Sequence, residues 1–281
     1  MPEGDTIYRA ARTLQRALAG QTITRFETGL AQLAAIDRDQ PIEGRTIDQV
    51  ESLGKYLLMT LSGGVVLRTH MRMNGSWHIY RPGEKWQRPA SAQRIVLETL
   101  EWVAVAFDVY NAEFVRAERV AIDPVVATLG PDLLGNFDLT EALARVRRAG
   151  SRAMHEVLLD QRVMAGIGNV YKSELLFLSA IHPDVPAPAV DDAHWREIMT
   201  LAQSLLRANV AESSPSGIVA YRGPRRTTSR INPSDRLWVY GRGGKPCRKC
   251  GARIAIRKDG DAARVTYWCP HCQPVTGTVP R

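Results

Sequence analysis

The chain has 281 residues, of which 44% are hydrophobic and 23% charged. This length allows two domains with substantial cores, and the composition places the chain among globular proteins. Lys and Arg number 37 against 29 acidic residues, and the resulting net charge of +8 favours a polyanionic partner such as nucleic acid.

Membrane insertion and export are not expected from this sequence. No apolar run approaches the roughly 18 residues that cross a bilayer, and the first residues lack the apolar stretch of a signal peptide. We therefore expect a cytoplasmic protein, associated with the nucleoid if it is bacterial. Nothing in the sequence indicates oligomerisation, so a monomer is expected.

The first part of the chain, residues 1–122, reads as one helix followed by short strands. Apolar residues recur at helical spacing over Thr6–Leu18, and Gly20 stands where such a helix would end. Gly63 and Gly64 mark a hairpin. The predicted strands are Tyr56–Leu61, Val65–Thr69, Ile95–Leu100 and Val103–Val109. This pattern predicts an antiparallel sandwich or barrel with the helix packed against it.

The composition changes near Asp123, and the pattern becomes helical over residues 123–236. The predicted helices are Leu139–Ala149, Ser151–Leu159, Val170–Leu178 and Ala193–Asn209. A loop at about 211–230, rich in Ser, Gly, Pro and Arg, is predicted to be flexible and basic. Residues 237–281 contain all the cysteines and form the third predicted segment.

The four cysteines are arranged as two CxxC pairs. Cys247 and Cys250 are followed, after 18 intervening residues, by Cys269 and Cys272. This spacing predicts a structural zinc ribbon whose closed tetrahedron leaves no position for catalysis. A redox dithiol and incidentally buried cysteines are the weaker alternatives, and His271 is a weaker alternative ligand.

The stretch between the two CxxC pairs predicts a basic hairpin. It contains Arg253, Arg257, Lys258 and Arg264. Projecting arginines on a small rigid hairpin suit contacts with a DNA groove or phosphates, and a solvated basic surface is the alternative.

Pro2 directly follows the initiator Met, whose removal would leave a secondary amine beside Glu3. In isolation this feature carries little weight, because Met-Pro starts are common. Its meaning depends on the motifs elsewhere in the chain.

Taken together, the motifs resemble those of one family, the formamidopyrimidine-DNA glycosylase and endonuclease VIII group. The matching segments, in chain order, are MPEGDTIYRAARTL, SLGKYLL (52–58), THMRMNGSW (69–77), LGPDLL (129–134), LLDQRVMAGIGNVYKSELLFLSAIHP (158–183), VYGRGGKPCRKCG and RVTYWCPHCQ. The resemblance implies an α+β fold with an N-terminal helix and antiparallel β-sandwich. A helical domain with a helix–two-turn–helix motif and a C-terminal zinc-ribbon finger would follow.

The resemblance also implies a catalytic set. Pro2 would attack C1′ of a damaged nucleoside, Glu3 would act as general acid–base, and Lys55 would contact the phosphate beside the lesion. Taken alone, Glu3 would pair with the terminal amine and Lys55 would be a solvated surface charge.

Four further residues are implied to contact damaged double-stranded DNA. His70 and Arg264 would contact the backbone, and Asn169 would grip a phosphate at a helix start. Asn169 also suits a plain N-cap. Met73 would fill the space left by an extruded base, with a core methionine as the alternative.

The segment Val109–Phe114 departs from the Arg-and-Phe pattern of the formamidopyrimidine branch, so no second void-filling residue is assigned. With the PEGDT start and the YWCPHCQ ending, this favours the endonuclease VIII branch, which prefers oxidised pyrimidines. We expect a bifunctional glycosylase and abasic-site lyase that cuts by β,δ-elimination. An 8-oxoguanine/formamidopyrimidine-type glycosylase and a catalytically silent DNA-binding protein are the alternatives.

Overall fold

The computed structural model describes residues 2–211, 225–228, 232–259 and 264–275. These divide into two compact units, one containing residues 2–128 and the other the described residues from 129 onward. The first boundary predicted from the sequence, at 122/123, precedes this division. The second unit holds both the helices and the cysteines, which the sequence analysis separated at residue 236. Most of the basic loop predicted at 211–230 lies outside the described residues.

The first unit begins with helix α1, Gly4–Leu18. Its apolar stripe, which includes Ile7, Leu14 and Leu18, is fully buried, as the helical spacing predicts. The next helix, α2 (Ala31–Asp39), was not predicted from the sequence. Its weak signal has a simple cause, because only Leu33 is buried along its length.

Two antiparallel four-stranded sheets make up most of the first unit. Their strands are β1 (Arg25–Thr28), β2 (Ile47–Leu53), β3 (Tyr56–Leu61), β4 (Val65–His70), β5 (Ser76–Tyr80), β6 (Gln93–Glu98), β7 (Val103–Phe107) and β8 (Asn111–Arg116). One sheet has the order β1-β6-β7-β5 and the other β2-β3-β4-β8. A single apolar core draws residues from both sheets and from α1, which confirms the predicted helix and sandwich.

Strand ends differ from the sequence prediction where the chain turns. The strand predicted to reach Val109 ends at Phe107, because Asp108 adopts a φ of 53° that no strand residue takes. The strand predicted over Ile95–Leu100 lies over Gln93–Glu98 instead. There Thr99 begins a tight turn in which its N–H donates to the Trp102 carbonyl at 2.8 Å. Gly63 and Gly64, with φ of 80° and 72°, form the predicted hairpin between β3 and β4.

The second unit is mainly helical, and a short helix, α3 (Pro124–Ala127), precedes it. Its helices are α4 (Leu139–Arg148), α5 (Met154–Val157), α6 (Asn169–Leu178) and α7 (Asp192–Ala211), and its hairpin is β9 (Ala255–Asp259) with β10 (Arg264–Trp268). No helix among the described ranges has the length and apolar character that a membrane span requires.

The helix predicted over Ser151–Leu159 is wrong except for the single turn α5. Residues before that turn are extended because they pair with a distant segment: the Arg152 carbonyl accepts from the Ala187 N–H at 2.9 Å. The Met154 N–H likewise donates to the Val185 carbonyl at 2.9 Å. Tertiary pairing here overrides a local helical pattern.

Helix α6 is buried on all its faces and lies between two apolar clusters. Tyr171 and Leu175 belong to the core formed with the neighbouring helices. Phe177 belongs to a second cluster with Val239 and Cys269 of the cysteine-containing segment. Helix α6 therefore connects the helical core to that segment.

Candidate functional site

The start of α1 concentrates acidic groups next to Pro2. Glu3 is the extended residue that precedes the helix, and its carbonyl accepts from the N–H groups of Thr6 at 2.9 Å and Ile7 at 3.1 Å. The Glu3 side chain is 0% exposed and caps no N–H of the described first turn. Asp5 is also buried and accepts from the Thr6 hydroxyl at 3.3 Å. A helix N-terminus stabilises negative charge, which helps to keep two buried carboxyl groups here.

Lys55 and His70 lie at the same end of the sheet β2-β3-β4-β8. Lys55 follows Gly54 in the two-residue turn between β2 and β3, and Gly54 has a φ of 58° that this turn requires. Tyr56, the next residue, pairs with His70 across the strands, and their ring centroids are 4.9 Å apart. The structure thus brings together two of the residues predicted to contact phosphate.

His70 is held in its neutral form. Burial, together with the nearby positive charges of Lys55 and Arg72, lowers its pKa to about 4. The Arg72 N–H donates to Nδ1 of His70 at 3.0 Å. The ring proton of the neutral form is therefore on Nε2, which can donate a hydrogen bond to a phosphate oxygen.

Met73 is 59% exposed, so the alternative of a core methionine is wrong. It lies in the loop between β4 and β5, beside the loop between β7 and β8. Arg88 connects the two loops: it donates to the Asn74 carbonyl at 3.1 Å and forms an ion pair with Asp108. Tyr110, in the second loop, is 56% exposed and accepts from Arg94 Nη2 at 2.6 Å.

Asn169 is the first residue of α6, and Gly168 is the N-cap, so the alternative of a plain N-cap does not describe Asn169. Its side-chain Oδ1 accepts from Lys172 Nζ at 3.4 Å. The first N–H groups of a helix have no partner within the helix, which makes this start suited to an anion.

Glu174, further along α6, anchors the segment that leads to the cysteines. Its carboxylate accepts from the consecutive N–H groups of Trp238, Val239 and Tyr240 at 2.8, 2.9 and 2.8 Å, and from the Thr227 hydroxyl. Burial raises the pKa of Glu174, whereas these four donors favour the ionised form. All four donors point at its two oxygens, so both oxygens of the group are hydrogen-bonded.

The predicted basic hairpin is confirmed as β9 and β10, but its arginines differ in role. Arg264 is exposed at the first position of β10. Arg257 does not project: it binds both oxygens of Asp184, at 2.8 and 2.6 Å, and also Asp259. Arg253 donates to the Gly244 carbonyl at 3.0 Å. Among these arginines, Arg264 remains the candidate for a DNA contact.

The four cysteines form one cluster of thiols. Their sulfur atoms all lie within 4.8 Å of one another: Cys250 is 3.5 Å from both Cys269 and Cys272, and Cys247 is 3.9 Å from Cys272. Four thiolates held at about 2.3 Å from a zinc ion would stand about 3.8 Å from one another. The cluster therefore fits a tetrahedral zinc ion and offers it four sulfur ligands.

Three family profiles match the chain. The formamidopyrimidine-DNA glycosylase N-terminal domain matches residues 1–109, its H2TH domain residues 129–218, and the zinc finger found in FPG and IleRS residues 244–275. The chain belongs to the formamidopyrimidine-DNA glycosylase and endonuclease VIII family. Its predicted fold class is thereby confirmed.

Relatives with the name endonuclease 8 2 are 40% identical to this chain. "Probable endonuclease 8 2" of Streptomyces coelicolor is 40% identical, over 100% of this chain and 96% of its own length. "Endonuclease 8 2" of Mycobacterium tuberculosis is also 40% identical, over 97% of this chain and 100% of its own. A formamidopyrimidine-DNA glycosylase of Exiguobacterium is 30% identical over 97% of this chain.

Solved structures show the same fold. Formamidopyrimidine-DNA glycosylase of Lactococcus lactis, in complex with DNA containing N7-benzyl-Fapy-dG, superposes with a TM-score of 0.80 and 23% identity. The match covers 97% of this chain and 100% of that one.

Several residues around the candidate site were not identified from the sequence. Arg72, Arg88 and Lys172 each contact a candidate residue or its loop, and Glu174 anchors the segment that leads to the cysteines. The sequence offers one signal for Lys172 and Glu174, which is that both lie in the GIGNVYKSE segment. The contacts of Arg88 depend on two loops that meet only in the folded sheet.

Proposed function

We propose that this chain removes oxidised bases, pyrimidines preferred, from double-stranded DNA and then cuts the abasic strand through a Schiff base on Pro2. That the chain is an enzyme of the glycosylase and abasic-site lyase class follows from its family. The observation that supports the chemistry is the fully buried Glu3 carboxyl directly beside Pro2 at the start of α1.

The amine of Pro2, once Met1 is removed, suits attack on a sugar carbon near neutral pH. A terminal amine has a reference pKa of about 7.7–8.0, so an appreciable fraction is unprotonated. Its lone pair forms a bond to C1′ while the bond from C1′ to the base breaks, and the proton that the nitrogen loses balances the one with which the base leaves. Glu3 donates a proton to the ring oxygen as that oxygen leaves C1′.

The product of these steps is a cationic iminium between Pro2 and the opened sugar. The positive nitrogen acidifies the C2′ proton, whose removal expels the 3′ phosphate in β-elimination. A second elimination expels the 5′ phosphate, and water then releases Pro2 as the free amine. The chain uses no external oxidant or reductant in this sequence.

The remaining predicted residues bind the DNA backbone in this proposal. Lys55 and the Nε2–H of neutral His70 contact phosphate from the first unit. Asn169, at the start of α6, and Arg264, on β10, contact phosphate from the second. Removing a base requires its extrusion from the stack, and exposed Met73 fills the space that it leaves.

One zinc ion, held by Cys247, Cys250, Cys269 and Cys272, has a structural role in this proposal. Four sulfur ligands leave it no open position, so it fixes the hairpin and takes no part in bond breaking. We further propose that the protein acts as a monomer in the cytoplasm, associated with the nucleoid if it is bacterial. Equilibrium sedimentation at working concentration tests whether the protein has the mass of a monomer.

Borohydride trapping tests the central step. Reduction of the iminium on abasic DNA should give a covalent adduct, and peptide mapping should place it on Pro2. An adduct on a lysine would refute Pro2 as the nucleophile, and the absence of an adduct would refute the mechanism and favour the catalytically silent DNA-binding protein.

Substrate preference is tested with a second experiment. The preference for pyrimidines rests on the 40% identity to a relative named endonuclease 8 2, against 30% to a formamidopyrimidine-DNA glycosylase. Endonuclease 8 of Salmonella arizonae, however, is also 30% identical. Thymine glycol duplexes should be cut faster than duplexes with 8-oxoguanine opposite cytosine. The reverse order would favour the 8-oxoguanine type.

A further inference from the structure

Lys172 is a lysine with 0% exposure in the middle of the second unit. It lies on α6, one turn after Asn169, and its Nζ approaches three oxygens: Thr266 Oγ1 at 2.6 Å, Val265 O at 3.2 Å and Asn169 Oδ1 at 3.4 Å. A buried charge is costly unless it is paired and hydrogen-bonded. An ammonium group has three N–H donors, and each of these oxygens can accept one of them.

The hydroxyl group of Thr266 links the Lys172 ammonium group to a carboxylate. Thr266 accepts from Lys172 and donates its own proton to Asp259 Oδ2. Asp259 in turn accepts from Arg257, which binds Asp184. In this series of hydrogen bonds from Lys172 to Asp184, every donor and acceptor fits a charged lysine and ionised carboxylates. These side chains therefore form one connected network.

Two consequences follow for the groups that face DNA in the proposed function. Lys172 can only donate, so it fixes Oδ1 of Asn169 on its own side and leaves the Nδ2 donor for a phosphate. The same ammonium holds β10 at Val265 and Thr266, directly after Arg264. Without it, the Asn169 amide could turn its oxygen toward the phosphate, which would be repulsive.

From this geometry we infer that Lys172 is a positioning residue, which orients Asn169 and fixes the Arg264 strand so that helix α6 and the hairpin bind phosphate as one surface. The inference rests on the proposed DNA binding of these two residues. Lys172 itself touches no DNA.

The test compares affinities for a duplex that contains a tetrahydrofuran abasic analogue. Lys172→Met should raise Kd by about tenfold or more. Thr266→Val, which keeps the shape and removes the hydroxyl, should also raise it, and Thr266→Ser, which restores the hydroxyl, should bind nearly as the parent does. Asn169→Ala added to Lys172→Met should cause little further loss, because residues that act as a unit are not additive.

A control separates positioning from general destabilisation. Leu206→Ala removes apolar volume from the helical core of the same unit and should lower Tm with no change in Kd at a temperature where every variant is folded. In addition, Lys172→Met should raise KM for abasic DNA and leave kcat near that of the parent, since Pro2 belongs to the other unit.

Two results would overturn the inference. One is an unchanged Kd for Lys172→Met. The other is a double variant whose increase in Kd equals the product of the increases for Lys172→Met and Asn169→Ala alone. A parent chain that binds the duplex but forms no borohydride adduct would refute the lyase mechanism alone. The Kd values of the variants would then still test the positioning role of Lys172. A parent chain that does not bind the duplex would overturn both.

Discussion

Arg88 and Asp108 form an ion pair that fixes the loop after β7, and Arg88 also donates to the Asn74 carbonyl of the loop after β4. Asp108 has a φ of 53°, a conformation that a non-glycine residue keeps only when its surroundings hold it. One guanidinium therefore supports both the exposed Met73 and the exposed Tyr110.

Arg88→Met should weaken binding to lesion-containing duplexes by about tenfold, which corresponds to roughly 1.4 kcal/mol. The loops would lose their common anchor and would have to be ordered when DNA binds, at an entropic cost. Binding to undamaged duplex should change little, since no void has to be filled there. Fluorescence anisotropy with both duplexes measures this difference.

Arg81→Met is the matched control for Arg88. Arg81 lies at the other end of β5, where its guanidinium covers the Trp102 ring at 3.5 Å from the centroid. Arg81→Met should leave the ratio of the affinities for lesion-containing and undamaged duplexes unchanged. An equal effect of Arg88→Met on both duplexes would contradict the assigned role of the loops.

Protonation of His70 should destabilise the fold at acidic pH. The folded-state pKa is about 4 and the reference value is about 6.5, so between these values the unfolded chain binds more protons. Stability therefore falls as pH drops from about 6.5 toward about 4, by roughly 3 kcal/mol from this group.

Urea unfolding at several pH values measures the contribution of His70. His70→Gln should lose stability less steeply than the parent over this range. The comparison between variants matters because carboxylates also titrate in the lower part of the range. Parallel curves for the parent and His70→Gln would exclude a depressed pKa.

The features that sequence predicts best here are those set by local spacing. The CxxC pairs and the Gly63-Gly64 turn depend on neighbours in the chain, and the structure contains both the sulfur cluster and the hairpin. Ser151–Ala153 are the opposite case. Their sequence pattern predicts a helix, but the segment pairs with residues 185–187, which are distant in sequence. The burial of Lys172 could not be predicted for a related reason. A lysine at that position becomes a buried cation only when β10 brings Thr266 and Val265 to it.

Zinc removal should unfold the cysteine segment and abolish DNA binding while the first unit keeps its structure. The four thiolates hold a small apolar cluster that includes Phe177 and Val239, and structural zinc sites contribute directly to folding. Metal analysis should find one zinc per chain in the parent and in His271→Ala. Cys272→Ser should lose it, and zinc loss from His271→Ala would mean that the ligand set is wrong.

Glu174→Gln should destabilise the second unit by roughly 3 kcal/mol, because a buried carboxylate that accepts four hydrogen bonds would be replaced by an amide with one acceptor atom. The amide nitrogen would face backbone N–H groups, donor against donor. Urea denaturation followed through tryptophan fluorescence measures the change, since Trp238 lies in the anchored segment. Glu197→Gln, on the exposed face of α7, is the control and should be neutral.

Glu3→Gln should separate the two proposed activities. Base excision requires a proton on the ring oxygen, so loss of the acid should slow it by roughly 10²–10⁴-fold. An abasic site already exists partly as the open-chain aldehyde, whose condensation with Pro2 needs no ring opening by Glu3. Strand cleavage at a preformed abasic site should therefore persist, with at most a modest reduction.

The measurement is single-turnover cleavage of matched thymine glycol and abasic duplexes. Glu27→Gln, at an exposed ion pair on β1, is the control and should leave both rates unchanged. If Glu3→Gln slowed both reactions equally, Glu3 would act on a step that they share, such as Schiff-base formation or removal of the C2′ proton. If it slowed neither, the buried carboxyl beside Pro2 would have no catalytic role, and another group would have to protonate the ring oxygen.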